Sequence, residues 1–262
     1  SERGGGTGVV GGEKGIGGGP GRGLDRNIMS AIRELCDHDA AGDNSFLFGF
    51  SRGAYTVRRL AGLVSCAGLL DTSGLREPEI WARIERVFEK GYRRKSEERT
   101  VWDRLGWQFR NNVDQPIPIR FLGVWDTVGS LGIPDDMALL NLIDNLHDYT
   151  FHDTALSPSV KSARHAVALD EMRASFQPTL WTVSAEHDAK QLWFAGVHSD
   201  VGGGYLETGL SDAALDWMVK EAEKCGLVFR CSMVDQIKPD HRGVLHDSCC
   251  GAFSLLPTQP RS

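Results

Sequence analysis

The chain has 262 residues, of which 41% are hydrophobic and 24% charged, with a formal charge of -6 and a pI near 5.8. That length holds one large α/β domain or two small ones around a substantial core. The acidic balance excludes the basic surface expected of a nucleic-acid binder, no run has the length of a membrane-spanning helix, and the opening residues do not read as a secretory leader, an expectation that carries little weight where a chain's true beginning is missing.

The first 23 residues contain twelve glycines and little apolar material. Gly6-Thr7-Gly8-Val9-Val10-Gly11 fits G-x-G-x-x-G, but a dinucleotide site needs a strand before the motif and a helix at its end. Only Ser1 to Gly5 precede it, so residues 1–23 are read as a glycine-rich loop and 24–257 as a single catalytic-type domain. From Leu24 to Asp39, the spacing of Ile28, Met29, Ile32 and Leu35 predicts an amphipathic helix.

The strongest local signal follows. Phe46 to Phe50 is a short apolar run suited to a buried strand, and Ala54, Val57, Leu60, Ala61 and Val64 recur at helical steps. Between them, Gly49-Phe50-Ser51-Arg52-Gly53 fits G-x-S-x-G. A sharp strand-to-helix turn holds such a serine in a strained conformation and aims the helix N-terminus at its hydroxyl. The bare pattern is weak in a chain rich in glycine and serine, and Ser51 could simply cap the helix. The flanking strand and helix favour a nucleophile elbow.

A turn is expected from Gly68 to Gly74, then a charged amphipathic helix from Glu77 to Lys90. Residues 91–114, with Trp102 and Trp107, read as a surface excursion. Ile117 to Val124 is a second apolar run, ending in Trp125-Asp126-Thr127-Val128-Gly129. An acid at a strand's carboxyl end, where ligands gather in open α/β sheets, is placed to orient a histidine; an Asx-turn is the alternative. Residues 130–160 hold an apolar cluster that would serve as a buried helix or as a cap over the site.

A helix is expected over Ser157 to Glu171, with His165, Asp170 and Glu171 at a solvated or ion-paired end. Leu180 to Ser184 and, more strongly, Gln191 to Val197 read as strands. The second ends in His198-Ser199-Asp200-Val201-Gly202-Gly203-Gly204-Tyr205, and a histidine there is hard to explain as core filling. A helix from Ser211 to Cys225 follows, capped by Ser211 and stopped by Gly226. In the loop-rich tail, His246-Asp247-Ser248 is the notable polar cluster.

Of the cysteines Cys36, Cys66, Cys225, Cys231, Cys249 and Cys250, none forms C-x-x-C and none joins a histidine at zinc spacing. No metal and no cofactor is therefore expected, and the sparse thiols read as reduced and cytosolic in origin. Alternating strands and helices predict an α/β fold, a mostly parallel sheet with helices on both faces.

Ser51, Asp126 and His198 then stand in the order nucleophile, acid, histidine, the chain order of α/β-hydrolases. His198 would shuttle the Ser51 proton, Asp126 would fix the imidazole, and the backbone N–H of Arg52 would donate to the oxyanion. Asp200, two residues from His198, is the second-choice acid, although a neighbour on the same loop more naturally shapes that loop.

Three of these stretches, Gly49 to Thr56, Gly123 to Gly129 and Gly196 to Tyr205, together with Leu245-His246-Asp247-Ser248, resemble an uncharacterised α/β-hydrolase family. Its members include phospholipase effectors delivered by bacterial type VI secretion. The resemblance covers Gly4 to Pro257 and implies ester hydrolysis, with phospholipid as the substrate in the effector branch. Carried over by motif, it implies the same triad. It also implies an ester or lipid substrate, peripheral membrane contact, and a cytoplasmic protein or a secreted effector; it leaves a protein partner unknown and gives no reason for nucleic acid. Members begin with an apolar strand ending in an Asp-Gly-Thr-type turn, so that first strand, and a second oxyanion donor with it, is expected to be missing here. Two other readings remain open: a catalytically inactive or truncated binding domain that keeps the elbow, and metal-assisted phosphoester hydrolysis by the Asp and His residues.

Overall fold

Four strands pair in parallel at the centre of the computed structural model, which describes residues 20–40, 42–89, 109–110, 117–128, 154–255 and 257–261. In chain order the strands are β1 (Ser45–Phe50), β2 (Leu69–Leu70), β3 (Phe109–Arg110), β4 (Ile119–Trp125), β5 (Ser162–Ala168) and β6 (Asp188–Phe194). The main sheet runs β1-β4-β5-β6, and β2 and β3 form a separate antiparallel pair. The helices are α1 (Pro20–His38), α2 (Arg52–Ala67), α3 (Glu77–Val87), α4 (His198–Gly202), α5 (Gly209–Lys224) and α6 (Cys231–Val234).

Both faces of the sheet are covered, as the alternating pattern requires. On one face α1, α2 and α3 bury Ile28, Ile32, Leu60, Val64, Ile80 and Ile84 against Leu122, Val124 and Ala163 of the sheet. On the other, Ala214 and Met218 of α5 and Val201 of α4 pack on Phe121, Ala166 and Ala168, with Phe46, Trp125 and Phe194 beside them. Phe121 and Leu122 thus serve opposite clusters, the period-two alternation of a strand buried on both sides. Each such side chain contributes about 1.5–3 kcal/mol by leaving water.

The strand before Ser51, the helix after it and the Asp126 strand all form where the sequence predicts them, but β1, expected to be buried, has no buried residue. Two segments differ. Ser162–Ala168 is the strand β5, not part of a helix running to Glu171, and all seven residues are buried. Its composition is helix-like, with three alanines, but it lies between β4 and β6, where a parallel sheet admits only an extended segment. Arg164 and His165 are consequently interior groups, not a solvated helix end. Arg164 is ion-paired with Glu221 of α5 and with Asp188 at 3.1 Å. The stretch Leu180 to Ser184 contributes only an isolated bridge, Ala155 with Thr182.

Smaller shifts follow from caps. α1 opens at Pro20, inside the expected glycine-rich loop, because proline's fixed φ suits a first helical turn. α5 opens at Gly209 with Thr208 as its N-cap, and Ser211 instead donates to the Thr208 carbonyl at 3.0 Å. The G-x-G-x-x-G stretch, Trp102 and Trp107, and the cap expected around 130–160 up to residue 153 lie outside the described residues.

With four parallel strands, every carboxyl end lies on one edge of the sheet. Ser51 follows β1, Asp126 follows β4, Leu169 to Glu171 follow β5, and Gly196 to His198 follow β6.

Candidate active site

Ser51 is the residue between β1 and α2, with φ 56° and ψ -121°. A side chain in that region costs on the order of 1–3 kcal/mol. Two close approaches hold it there. The Ser51 amide donates to the Trp125 carbonyl of β4 at 3.1 Å. A Cβ on Gly49 would lie 2.4 Å from the Gly53 carbonyl oxygen, so only glycine lets the turn close. Ser51 occupies the N-cap position of α2, yet its hydroxyl makes no capping hydrogen bond. Capping therefore does not account for the serine.

Asp126 is wholly buried and also has a positive φ, 38°. Its Oδ2 lies 2.6 Å from Nδ1 of His198, and its Oδ1 accepts the Ala168 amide at 2.9 Å. Arg261, with a fully buried side chain, donates from Nη1 to Oδ1 at 2.6 Å and from Nη2 to Oδ2 at 2.9 Å. Burial alone would raise the Asp126 carboxyl; the hydrogen bonds from His198 and Arg261 and the Arg261 charge outweigh it and hold it down at about 2.

His198 opens α4 and is 5% exposed. Its ring lies between two phenylalanines, 4.5 Å from Phe50 and 5.0 Å, edge-on, from Phe176. Since Phe50 immediately precedes Ser51, the same ring that ends β1 packs on the imidazole. Gly202 makes this possible: a Cβ there would sit 2.0 Å from the Phe50 ring. The bond through Nδ1 leaves Nε2 as the ring nitrogen that can take a proton.

Asp200, the second-choice acid, does not serve His198. Its Oδ2 accepts the amides of Val197 at 3.0 Å and His246 at 3.2 Å, and its Oδ1 lies 2.6 Å from Nδ1 of His246. His246 stacks on Tyr205 with ring centroids 3.6 Å apart. The Asp200 carboxylate thus ties the histidine loop to the Leu245–Ser248 stretch.

Three further residues build the site, and their roles were not read from the sequence. Glu171 is wholly buried and accepts the His198 amide at 3.2 Å, the Ser248 hydroxyl at 2.8 Å and Nη2 of Arg173 at 2.8 Å. Burial would raise its carboxyl, but the Arg173 and Ser248 bonds hold it at about 2. His165 accepts the Thr127 amide on Nε2 at 3.1 Å and faces Gln191 through Nδ1 at 3.3 Å, which pins the turn after Asp126. Burial, with the nearby Arg58 charge, pushes its pKa down to about 3, so it is neutral. Arg261 is the third. The polar His246-Asp247-Ser248 cluster was a signal for the Glu171 and Asp200 partners; nothing in the pattern singled out Arg261.

The arrangement offers a strained serine and a buried carboxylate after the adjacent strands β1 and β4, with the imidazole bonded to that carboxylate coming from beyond β6. Among the described residues, no group of three or more His, Cys, Asp or Glu could hold a metal ion. Also among them, no helix is long and apolar enough to cross a membrane.

Several known proteins are similar to this chain. A curated protein of Saccharomyces cerevisiae, itself uncharacterised, is 35% identical over 162 residues, which is 61% of this chain and 22% of that protein. A crystal structure of an uncharacterized Pseudomonas aeruginosa protein aligns with TM-score 0.40 and 20% identity over 84% of this chain and 30% of its own. The Tle1 effector bound to the VgrG spike of the type VI secretion system aligns with TM-score 0.34 and 23% identity, over 73% of this chain and 32% of its own. The chain therefore spans about a fifth of the curated relative's length and about a third of each solved structure's. Residues 6–221 match the family described as T6SS, phospholipase effector Tle1-like, catalytic domain, and the chain belongs to that family.

Proposed function

We propose that this domain hydrolyses carboxylic esters of lipids, phospholipid in particular, through Ser51, His198 and Asp126. The observation that carries the proposal is the strained Ser51, uninvolved in capping and hydrogen-bonded through its amide to the residue preceding Asp126, whose carboxylate grips His198. In the first half-reaction, Ser51 Oγ attacks the ester carbonyl carbon while its proton passes to Nε2 of His198. The oxyanion forms beside the first turn of α2, where the Arg52 amide is the assigned donor; losing one such donor costs about 3 kcal/mol. The ester C–O bond then breaks and the alkoxide leaves with the proton from Nε2. Water repeats the sequence on the acyl-enzyme and releases the acid. Asp126 holds the imidazole tautomer and stabilises the imidazolium throughout.

The lipid substrate rests on the family and on exposed apolar side chains around the second histidine. Leu206 is 96% exposed, and Val244 and Leu245 are also exposed beside His246. We assign these three to peripheral contact with the lipid surface. Secretion as an effector and the presence of a protein partner are proposals resting on the family alone.

A fluorophosphonate probe tests the reaction. Labelling of Ser51 with loss of fluoride, absent in Ser51→Ala while circular dichroism is unchanged, is the expected result. A folded chain that neither labels nor turns over short-chain esters or phospholipid vesicles returns the reading of an inactive binding domain.

A further inference from the structure

Arg261 is the least expected member of the site. It lies 135 residues from Asp126 along the chain, and its side chain is fully buried. The tail that carries it is strapped to the loop after β5. The Ala174 amide donates to the Pro257 carbonyl at 3.0 Å, Thr258 bridges Arg173, and the Gln259 amide donates to the Met172 carbonyl at 2.7 Å. At the end of this strap the guanidinium holds both oxygens of Asp126, the Ala168 carbonyl at 2.6 Å and the Phe176 carbonyl. A bidentate fork fixes a carboxylate's plane as well as its charge.

We infer that Arg261 is a positioning residue that acts through Asp126, orienting the carboxylate toward His198 and offsetting part of its charge so that the imidazolium is not over-stabilised. The inference rests on the triad reading but concerns the pair itself. An imidazole bonded to a lone buried carboxylate holds its proton tightly, which makes it a poor general base near neutral pH. A guanidinium on the far side of that carboxylate opposes this. Among the described residues, the other charged groups bonded or stacked around His198 include Glu171, which accepts its amide, Arg173, whose guanidinium lies over the Phe176 ring, and Asp200 on its own helix. Glu171 is bonded by Arg173, and Asp200 faces His246, so Arg261 is the cation set directly on the carboxylate that His198 uses.

The experiment follows the His198 imidazole by proton NMR against pH, identified as the resonance missing from His198→Gln. It compares the wild-type chain with Arg261→Gln and Arg261→Lys, and records kcat/KM for a soluble short-chain ester in parallel. Arg261→Gln is expected to raise the His198 midpoint by about one pH unit or more and move the acidic limb of kcat/KM with it. Arg261→Lys is expected to shift both by less, because its ammonium holds one oxygen where the fork holds two. Should the glutamine variant fail to fold, the lysine variant alone decides. An unchanged His198 midpoint in every folded variant overturns the inference. A midpoint that moves in a chain without esterase activity keeps the role of Arg261 and removes the catalytic reading.

Discussion

Among the described residues, two histidine–aspartate pairs have the same length, and they are built differently. His198 and Asp126 meet at 2.6 Å, as do His246 and Asp200. The first carboxylate sits at a strand end, wholly buried, beside a strained serine, and its remaining bonds come from Arg261 and one amide. The second sits in a short helix, and its remaining bonds come from two amides of the loops it joins. Distance alone therefore does not identify a catalytic pair. What separates them is the neighbour of the imidazole: the Phe50 and Phe176 rings in one case, the Tyr205 ring and Glu207 in the other.

The sharpest test of that difference is parallel neutralisation. Asp126→Asn is expected to lower kcat for ester hydrolysis by about 10⁴-fold, since the wrong tautomer is then favoured. Asp200→Asn is expected to cost about 1.5–3 kcal/mol of stability, read from urea denaturation, with kcat falling less than about tenfold. Equal kinetic losses would erase the distinction between the two pairs.

Glu171 connects them, because it takes the His198 amide and the hydroxyl of Ser248, two residues beyond His246. Glu171→Gln leaves the Arg173 guanidinium buried without its charge partner. The expected loss is about 3–5 kcal/mol in chemical denaturation. A loss below about 1 kcal/mol would mean that the two loops are held independently.

Acid should reach the site in two stages. His165, whose pKa falls from 6.5 to about 3 on folding, is neutral in the folded chain, so stability is complete above pH 6.5 and declines as pH falls toward 3. Asp126, Glu171 and Glu221 are all depressed to about 2, so their contribution is complete above about pH 4.5 and is lost as pH falls toward 2. His165→Gln is expected to flatten the urea midpoint between pH 6.5 and 4.5 and leave the steeper decline below it. A midpoint that still falls across the upper interval would assign that stage to another group.

The smallest expected effect concerns the surface around the second pair. Leu206→Asp with Leu245→Asp should reduce turnover of phospholipid vesicles several-fold and leave a soluble short-chain ester unaffected. Equal losses on both substrates would remove these side chains from lipid contact.

Part of the candidate site was legible in the sequence because each candidate residue follows an apolar run. Ser51 after Phe46–Phe50, Asp126 after Ile117–Trp125 and His198 after Gln191–Val197 announce themselves by position, and a parallel sheet collects such ends on one edge. β5 was not legible, because Arg164 and His165 look like surface residues until Glu221, Asp188 and Gln191 are brought to them by other elements. Arg261 was harder still. Its meaning depends on a strap formed by residues that show no periodicity, and a lone arginine in a loop-rich tail carries no local sign of its partner.

The amide–carbonyl contact between Ser51 and Trp125 extends the β1–β4 ladder, whose register pairs Phe50 with Trp125. Serine and acid are thus spaced by the sheet's own repeat, and a single-residue deletion inside β4 would swing the carboxylate to the opposite face. Changes of length in the connecting loops leave that ruler untouched. Loops of different length can consequently be exchanged while the spacing of Ser51 and Asp126 keeps its dimensions.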